Sequence, residues 1–255
     1  MNSKKLFAAI IFLFCSSVTF AQTVDDIIGN HFKAMGGKDK IASVKTIKMK
    51  GNIDIGPDMK APFTIFMKDG SKVRFELDLQ GMKMIQALEG DSGWYINPFG
   101  GKTDPERMSP EAVKDSKEQA DFTGPLFNYK EKGNSVELLG KEDMEGTDTY
   151  KLKVTKKSGD VTYFYLDATS YLELKQTSKH KFKDKEVESV HLSSNYKSIE
   201  GLMFPFSMEE RGSDDASQGQ TMNIESVELN PKIDESIFKM PPMVSATGTG
   251  AGEKK

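Results

Sequence analysis

The stretch from Val44 to Asn97 constrains the fold most, because apolar residues recur there at every second position. In Val44 to Ile55 they alternate with lysines and polar residues, which is the period of a half-buried strand. The period returns over residues 63–67 and 73–79, joined by the hairpin dipeptide Asp69-Gly70. A fourth run, from Met82, ends before Trp94. The pattern predicts an antiparallel meander with one apolar face and one solvated face.

The apolar face of this meander supplies the candidate ligand-binding residues. We expect it to line an apolar cavity, and its predicted members include the sole tryptophan of the chain. The predicted cavity residues are Ile47, Met49, Ile53, Phe63, Ile65, Met67, Val73, Phe75, Leu77, Met82, Met84, Leu88 and Trp94.

Two helices interrupt an otherwise β-rich pattern. Thr23 is a typical N-cap with acidic residues behind it, and the helix it begins ends at Gly36-Gly37. Ser109-Pro110 begins a second helix that runs to Ala120 and is mostly polar, as suits a segment lying over an opening. Strands return at short spacing between turn signals over residues 136–141, 149–155, 161–167, 171–182, 187–196, 204–208 and 221–229.

About ten or eleven strands exceed what an open, twisted sheet usually tolerates without curling. The predicted fold class is therefore mainly β, a curled antiparallel sheet forming an open half-barrel with an N-terminal helix and a short helical lid. An alternating face then lines an interior that can hold a ligand. This interpretation requires the apolar sides of the strands to enclose a hollow rather than pack solidly against each other.

The first 21 residues resemble an export signal. Lys4 and Lys5 precede an apolar run, and a small residue, Ala21, stands at the expected cleavage position. The run is too short for a membrane anchor, and bulky Phe14 before Cys15 argues against lipidation of that cysteine. We predict cleavage after Ala21, one domain over residues 22–241, and a disordered tail over residues 242–255.

Composition narrows the classes of partner. Removing residues 1–21 takes away Lys4 and Lys5 and changes the formal charge from −3 to −5, which argues against nucleic acid. The chain has 14 Met and 16 Phe, residues that fill ordinary cores but also suit a cavity for varied apolar ligands. Its one cysteine excludes a disulfide framework. We expect a monomer.

The sequence offers little for catalysis, and we expect neither an enzyme nor a cofactor. Gly90-Asp-Ser-Gly93 matches a serine-protease segment, but no matching histidine motif accompanies it, so a turn is the better interpretation. His31 lies beside an apolar stripe and is predicted to be packed. His180 and His191 could approach each other across a hairpin, but two histidines make a poor metal site.

Acidic pairs and a lysine series are interpreted as solvated surface. Neighbouring residues point to opposite faces of a strand, so Glu209-Glu210 is not a catalytic pair. Asp214-Asp215 lacks the oxygen spacing of a calcium loop. The alternating lysines are typical of a solvated face or of an edge strand whose charges prevent pairing with other chains. The functional alternative is that they contact anionic lipid headgroups or an acidic partner. They are Lys175, Lys179, Lys181, Lys183 and Lys185.

Several local patterns together resemble the LolA-like outer-membrane lipoprotein-sorting proteins of the Bacteroidetes branch. The resemblance spans roughly Val24 to Pro241. The segments that carry it are Gly36-Gly37 with Ile41 and Val44, residues 72–76, residues 88–94, Asn230-Pro231 and Ile237-Phe238.

This resemblance implies an unclosed β-barrel, a periplasmic location, and acyl chains or lipoproteins as cargo, with an inner- or outer-membrane protein as a further partner. It also implies that the two helices act as plug or lid and that Arg74 is a possible polar gate. Lys72 and Glu76 beside Arg74 equally indicate a solvated ladder. The alternative to a carrier is an envelope sensor or scaffold of the same fold, whose lipid pocket regulates a protein partner.

Overall fold

A computed structural model describes residues 22–56, 59–101, 103–182, 185–212 and 219–243. The predicted export signal, Asp214-Asp215, Lys183 and residues 244–255 of the predicted tail lie outside these ranges. Within these ranges the α-helices are α1 (Val24–Ala34), α2 (Lys38–Ser43) and α3 (Pro110–Ala120). The strands are β1 (Thr46–Gly56), β2 (Met59–Lys68), β3 (Lys72–Leu79), β4 (Met82–Glu89), β5 (Ser92–Ile96), β6 (Glu106–Arg107), β7 (Ser135–Met144), β8 (Thr147–Thr155), β9 (Val161–Asp167), β10 (Glu173–Phe182), β11 (Lys185–Ile199), β12 (Leu202–Gly212) and β13 (Gln220–Leu229).

All strands belong to one antiparallel sheet in the order β6-β5-β4-β3-β2-β1-β13-β12-β11-β10-β9-β8-β7. The predicted open half-barrel is confirmed, but the described residues form a sheet of 13 strands rather than ten or eleven. One of the strands that the sequence did not predict is β6, which has only two residues and is too short to show an alternating pattern. No helix within the described ranges is both long and apolar enough to cross a membrane.

Helix α1 is a fixed part of the core. Its predicted cap is confirmed, since Thr23 and Asp26 form a reciprocal capping box. Ile27 and Phe32 are buried in the same cluster as the apolar face of β1 to β4. The end of α1 is joined to the β11–β12 hairpin by a 3.0 Å hydrogen bond from the Met203 amide to the Met35 carbonyl. Gly36 is required here, because a Cβ would lie 2.2 Å from the Gly201 carbonyl oxygen.

Helix α3 connects the two ends of the curled sheet. Lys117 pairs with Asp91 in the β4–β5 turn, whereas Lys114 lies 2.9 Å from Asp160 in the β8–β9 turn. Those two turns belong to strands near opposite ends of the strand order. Because an 11-residue helix is only about 16 Å long, these contacts require the sheet to wrap around its concave face.

The C-terminal strap, residues 230–238, crosses the convex face of the sheet. It begins where the Asn230 amide donates to the Thr46 carbonyl and ends in a short 3-10 helix, Glu235–Phe238. The side chain of Phe238 is fully buried. Glu235 accepts from Lys68 at 2.5 Å and from Lys72 at 3.1 Å, and these two amines lower the pKa of Glu235 to about 2. The strap therefore covers part of the face opposite the helices.

This ion pair gives the strap a testable acid dependence. A carboxyl whose pKa falls from 4.5 to about 2 on folding stabilises the native state above pH 4.5 and loses that contribution as the pH falls toward 2. We expect Glu235→Gln to lower the melting temperature slightly at neutral pH and to match the wild type near pH 2. Thermal unfolding of both chains across this range measures the difference. In a Lys68→Ala, Lys72→Ala background the effect of Glu235→Gln should vanish at every pH.

Candidate functional site

The concave face of the sheet carries four rows of side chains across consecutive strands. Strand pairing defines them, since residues directly opposite each other share a face. Row one is Leu229, Ile47, Met67, Val73, Leu88 and Gly93; row two is Val227, Met49, Ile65, Phe75, Gln86 and Tyr95; row three is Ile224, Gly51, Phe63, Leu77 and Met84. Row four is Met208, Met222, Ile53 and Ala61, and the pair Leu79 and Met82 continues it on the same face by strand alternation. We call these rows the inner wall.

The helices cover the inner wall unevenly. Ile47 and Leu88 of row one are buried in the cluster that contains Ile27 and Phe32 of α1. Gln86 of row two donates a 3.0 Å hydrogen bond to the buried Ser116 of α3. Ile53, Phe63 and Ile224 of rows three and four belong to the same buried cluster. This part of the wall is filled by the protein's own side chains, so the required hollow is not present there.

The wall becomes open at the ends of β3 and β4. Leu79 and Met84 are only partly buried and lie outside the core cluster, and Met82 is 43% exposed. Met59, at the start of β2, is also 43% exposed, and its sulfur lies 3.8 Å from the Gln80 side-chain nitrogen in the β3–β4 turn. We call Met59, Leu79, Met82 and Met84 the open rim. It is continuous with the buried wall through Leu77 and Phe75.

Twelve of the thirteen predicted cavity residues lie on the inner wall, and Trp94 does not. The β4–β5 turn contains only Gly90 and Asp91, so Trp94 pairs with Ala87 and Gly93 pairs with Leu88. Trp94 therefore faces the convex side, where its ring nitrogen donates a 2.7 Å hydrogen bond to the Phe238 carbonyl. The prediction for Trp94 is wrong because a one-residue error in register reverses the face. The ligand-binding role of the other twelve stays a prediction.

Arg74 also lies on the convex face, so its predicted position at a gate is wrong. It pairs with Ala87 across β3 and β4 and lies 5.4 Å from the Trp94 ring. Its guanidinium donates to the Ile237 carbonyl and to Glu76, both at 2.6 Å. These contacts hold the C-terminal strap, and they place the Arg74 side chain on the face of the sheet opposite the open rim.

The residues considered for catalysis occupy structural positions. The predicted turn at Gly90-Asp91 is confirmed. His31 is buried as predicted, with Nδ1 2.8 Å from the Tyr171 carbonyl oxygen, and burial lowers its pKa. His180 pairs with Val187 and His191 with Gln176, so the two histidines are not opposite each other. In the described ranges no three His, Cys, Asp or Glu side chains converge as metal ligands would.

Glu209 and Glu210 have separate partners, in agreement with their predicted placement on opposite faces. Glu209 lies 3.5 Å from Arg211, whereas Glu210 lies 3.9 Å from His191. In the lysine series, Lys175 lies 4.8 Å from the Tyr165 ring, and Lys179 pairs in register with Glu188. The charges on this part of the surface are therefore mixed rather than uniformly basic.

One acidic residue that the sequence analysis missed lies beside the buried face. Glu173 pairs with Leu166 and accepts a 2.7 Å hydrogen bond from Gln176. Burial raises the pKa of Glu173 to about 7, so this carboxyl gains or loses a proton near neutrality. The sequence gives little indication that Glu173 is buried, because the left-handed backbone of Tyr171 and a bulge after Glu173 interrupt the alternation of apolar and polar residues.

Comparison with known proteins identifies the fold. No family model and no curated protein matches the chain. A LolA superfamily protein from Nitrosomonas europaea superposes with a TM-score of 0.56 at 14% identity, covering 86% of this chain and 98% of that one. A DUF1329 family protein from Desulfovibrio piger gives 0.56 at 16% identity, with 86% and 98% covered.

A third solved structure agrees with these two. A domain from Vibrio parahaemolyticus, described as an outer membrane lipoprotein-sorting protein domain, gives a TM-score of 0.53 at 16% identity and covers 84% of this chain and 94% of that one. At such identities the likeness shows the fold alone. The chain therefore has a LolA-like fold over most of its length.

Proposed function

We propose that this chain is an exported, non-catalytic carrier that holds the acyl chains of lipids or lipoproteins against its inner wall. It would act in the periplasm, as a monomer, in outer-membrane lipoprotein sorting, and belong to the Bacteroidetes branch of LolA-like proteins. The observation that carries the proposal is the inner wall, whose apolar rows continue without a charged residue from the core to the open rim. The shared fold with a lipoprotein-sorting domain supports it.

Binding of this kind needs no covalent step. Each methylene moved from water to the wall contributes about 0.8 kcal/mol, so a short length of acyl chain gives useful affinity. Methionines at positions 59, 82 and 84 suit ligands of variable shape, because the unbranched thioether side chain adapts its conformation. Because Gln86 of row two is bonded to Ser116 of α3, α3 must move before a long chain can occupy row two.

Native mass spectrometry of residues 22–255 tests the proposal directly. We expect a lipid adduct after purification without detergent, or stoichiometric uptake from an acylated peptide but not from the same peptide without its acyl chain. Trp94 is a poor reporter, because it lies under the C-terminal strap; displacement of a fluorescent fatty acid is the suitable second measurement. Absence of both adduct and displacement would refute the carrier function. Binding of a membrane protein that depends on retained lipid would instead favour the sensor alternative.

A further inference from the structure

Three of the exposed large apolar side chains belong to segments at the open end of the sheet. Met59, Met82 and Phe99 are each 43% exposed. Met59 contacts the β3–β4 turn through Gln80, and Met82 follows that turn directly. Phe99 belongs to a short 3-10 helix, Pro98–Gly100, that follows β5 and packs against β4. We call these three residues the rim patch.

Each of the two methionines of the rim patch is followed by a lysine. Lys60 and Lys83 have side chains 67% and 54% exposed, and each lies 3.8 Å from its acidic partner, Asp54 or Glu76. Such distant, exposed pairs are weak, so the amines can exchange carboxylate for phosphate. Because neighbouring residues of a strand point to opposite faces, the methionines line the inside of the rim and the lysines its outside.

We propose that the rim patch docks on the surface of a phospholipid bilayer. Apolar side chains would enter the boundary between headgroups and acyl chains, while the flanking lysines meet the phosphates. The three side chains come from separate segments, and each of the two methionines has an exposed lysine beside it. Apolar side chains flanked by cations suit the anionic, fluid surface of a bilayer better than a folded partner. The patch is continuous with the inner wall, so an acyl chain could pass between bilayer and wall without crossing water.

Vesicle binding tests this docking. We expect residues 22–255 to sediment with phosphatidylcholine vesicles containing some phosphatidylglycerol, and the variant Met59→Gln, Met82→Gln, Phe99→Gln to lose about tenfold or more in partitioning. Leu139→Gln is the matched control. Leu139 is 49% exposed but lies on β7, at the far end of the strand order, and its substitution should leave binding unchanged.

A positional measurement separates insertion from surface attraction. A fluorophore on Met82→Cys should be quenched by spin-labelled phosphatidylcholine, and one on Leu139→Cys should not; the natural Cys15 precedes residue 22 and does not interfere. Binding that disappears at high salt, or equal partitioning of the wild type and the triple variant, would overturn bilayer docking. So would failure of the wild type to bind vesicles. The role given to docking rests on the proposed carrier function. Vesicle binding is measured without cargo, so the docking proposal and the carrier proposal can be refuted independently.

Discussion

Met84→Asp is expected to abolish acyl binding while leaving the fold intact. Met84 lies in row three of the inner wall and is partly exposed at the open rim, outside the core cluster. A carboxylate there remains solvated in the empty protein, so the native state loses little stability. An acyl chain laid against the wall would strip water from that charge without offering a hydrogen bond, which costs several kcal/mol. We expect affinity for a fluorescent fatty acid to fall at least tenfold.

Lys83→Ala is the matched control for this change. Lys83 precedes Met84 on β4 and points to the opposite face, where it lies 3.8 Å from Glu76. Its substitution should leave fatty-acid affinity unchanged. The same reasoning applies to Phe75→Asp against Glu76→Ala, although Phe75 stacks on Phe63 at 6.2 Å and its loss would also lower stability. Equal effects of the two β4 variants on affinity would show that the inner wall is not the binding face.

The sequence predicts this wall well because alternation is a local property. In β1 and β3 the apolar residues occupy alternate positions and so lie on one face of each strand, and the Asp69-Gly70 turn fixes the pairing of β2 with β3. The starts of α1 and α3 are also predictable from local sequence, since Thr23 and Ser109 both make the cap hydrogen bonds that their sequence contexts predict. Together these features are enough to infer the curled sheet and the helix over it.

The convex face was not predictable in the same way, because it depends on contacts distant in sequence. Strand register puts Trp94 and Arg74 on that face, but their hydrogen-bond partners there are the carbonyl groups of Phe238 and Ile237, some 140 or more residues away. A strand with apolar residues on both faces, such as Ala87-Leu88 in β4, gives no periodic signal of which side faces the helices. The pairing of α3 with Asp91 and Asp160 likewise depends on how tightly the whole sheet curls.

Fixing α3 in place is expected to block uptake almost completely. The face of α3 that packs on the sheet is only weakly apolar, with Val113 partly buried beside the buried Ser116 and Ala120. Lys114 and Lys117 of α3 form exposed ion pairs with the sheet. Because exposed ion pairs contribute little stability, we expect α3 to open more easily than α1. A short bismaleimide joining Asp91→Cys to Lys117→Cys would replace one ion pair by a covalent link. Stopped-flow uptake of a fluorescent fatty acid should then be lost, whereas the unlinked double variant should take it up faster than the wild type.

A second cross-link decides which helix is the moving element. Asp25 of α1 lies 2.8 Å from Lys130, so Asp25→Cys with Lys130→Cys places the same reagent on the other helix. Helix α1 is anchored by buried Ile27 and by His31 against Tyr171, and it should stay in place during exchange. Uptake should therefore survive this link. If the α1 link blocks uptake and the α3 link does not, α1 is the helix that moves. If neither link matters, ligand enters only through the open rim and rows one and two remain permanently filled.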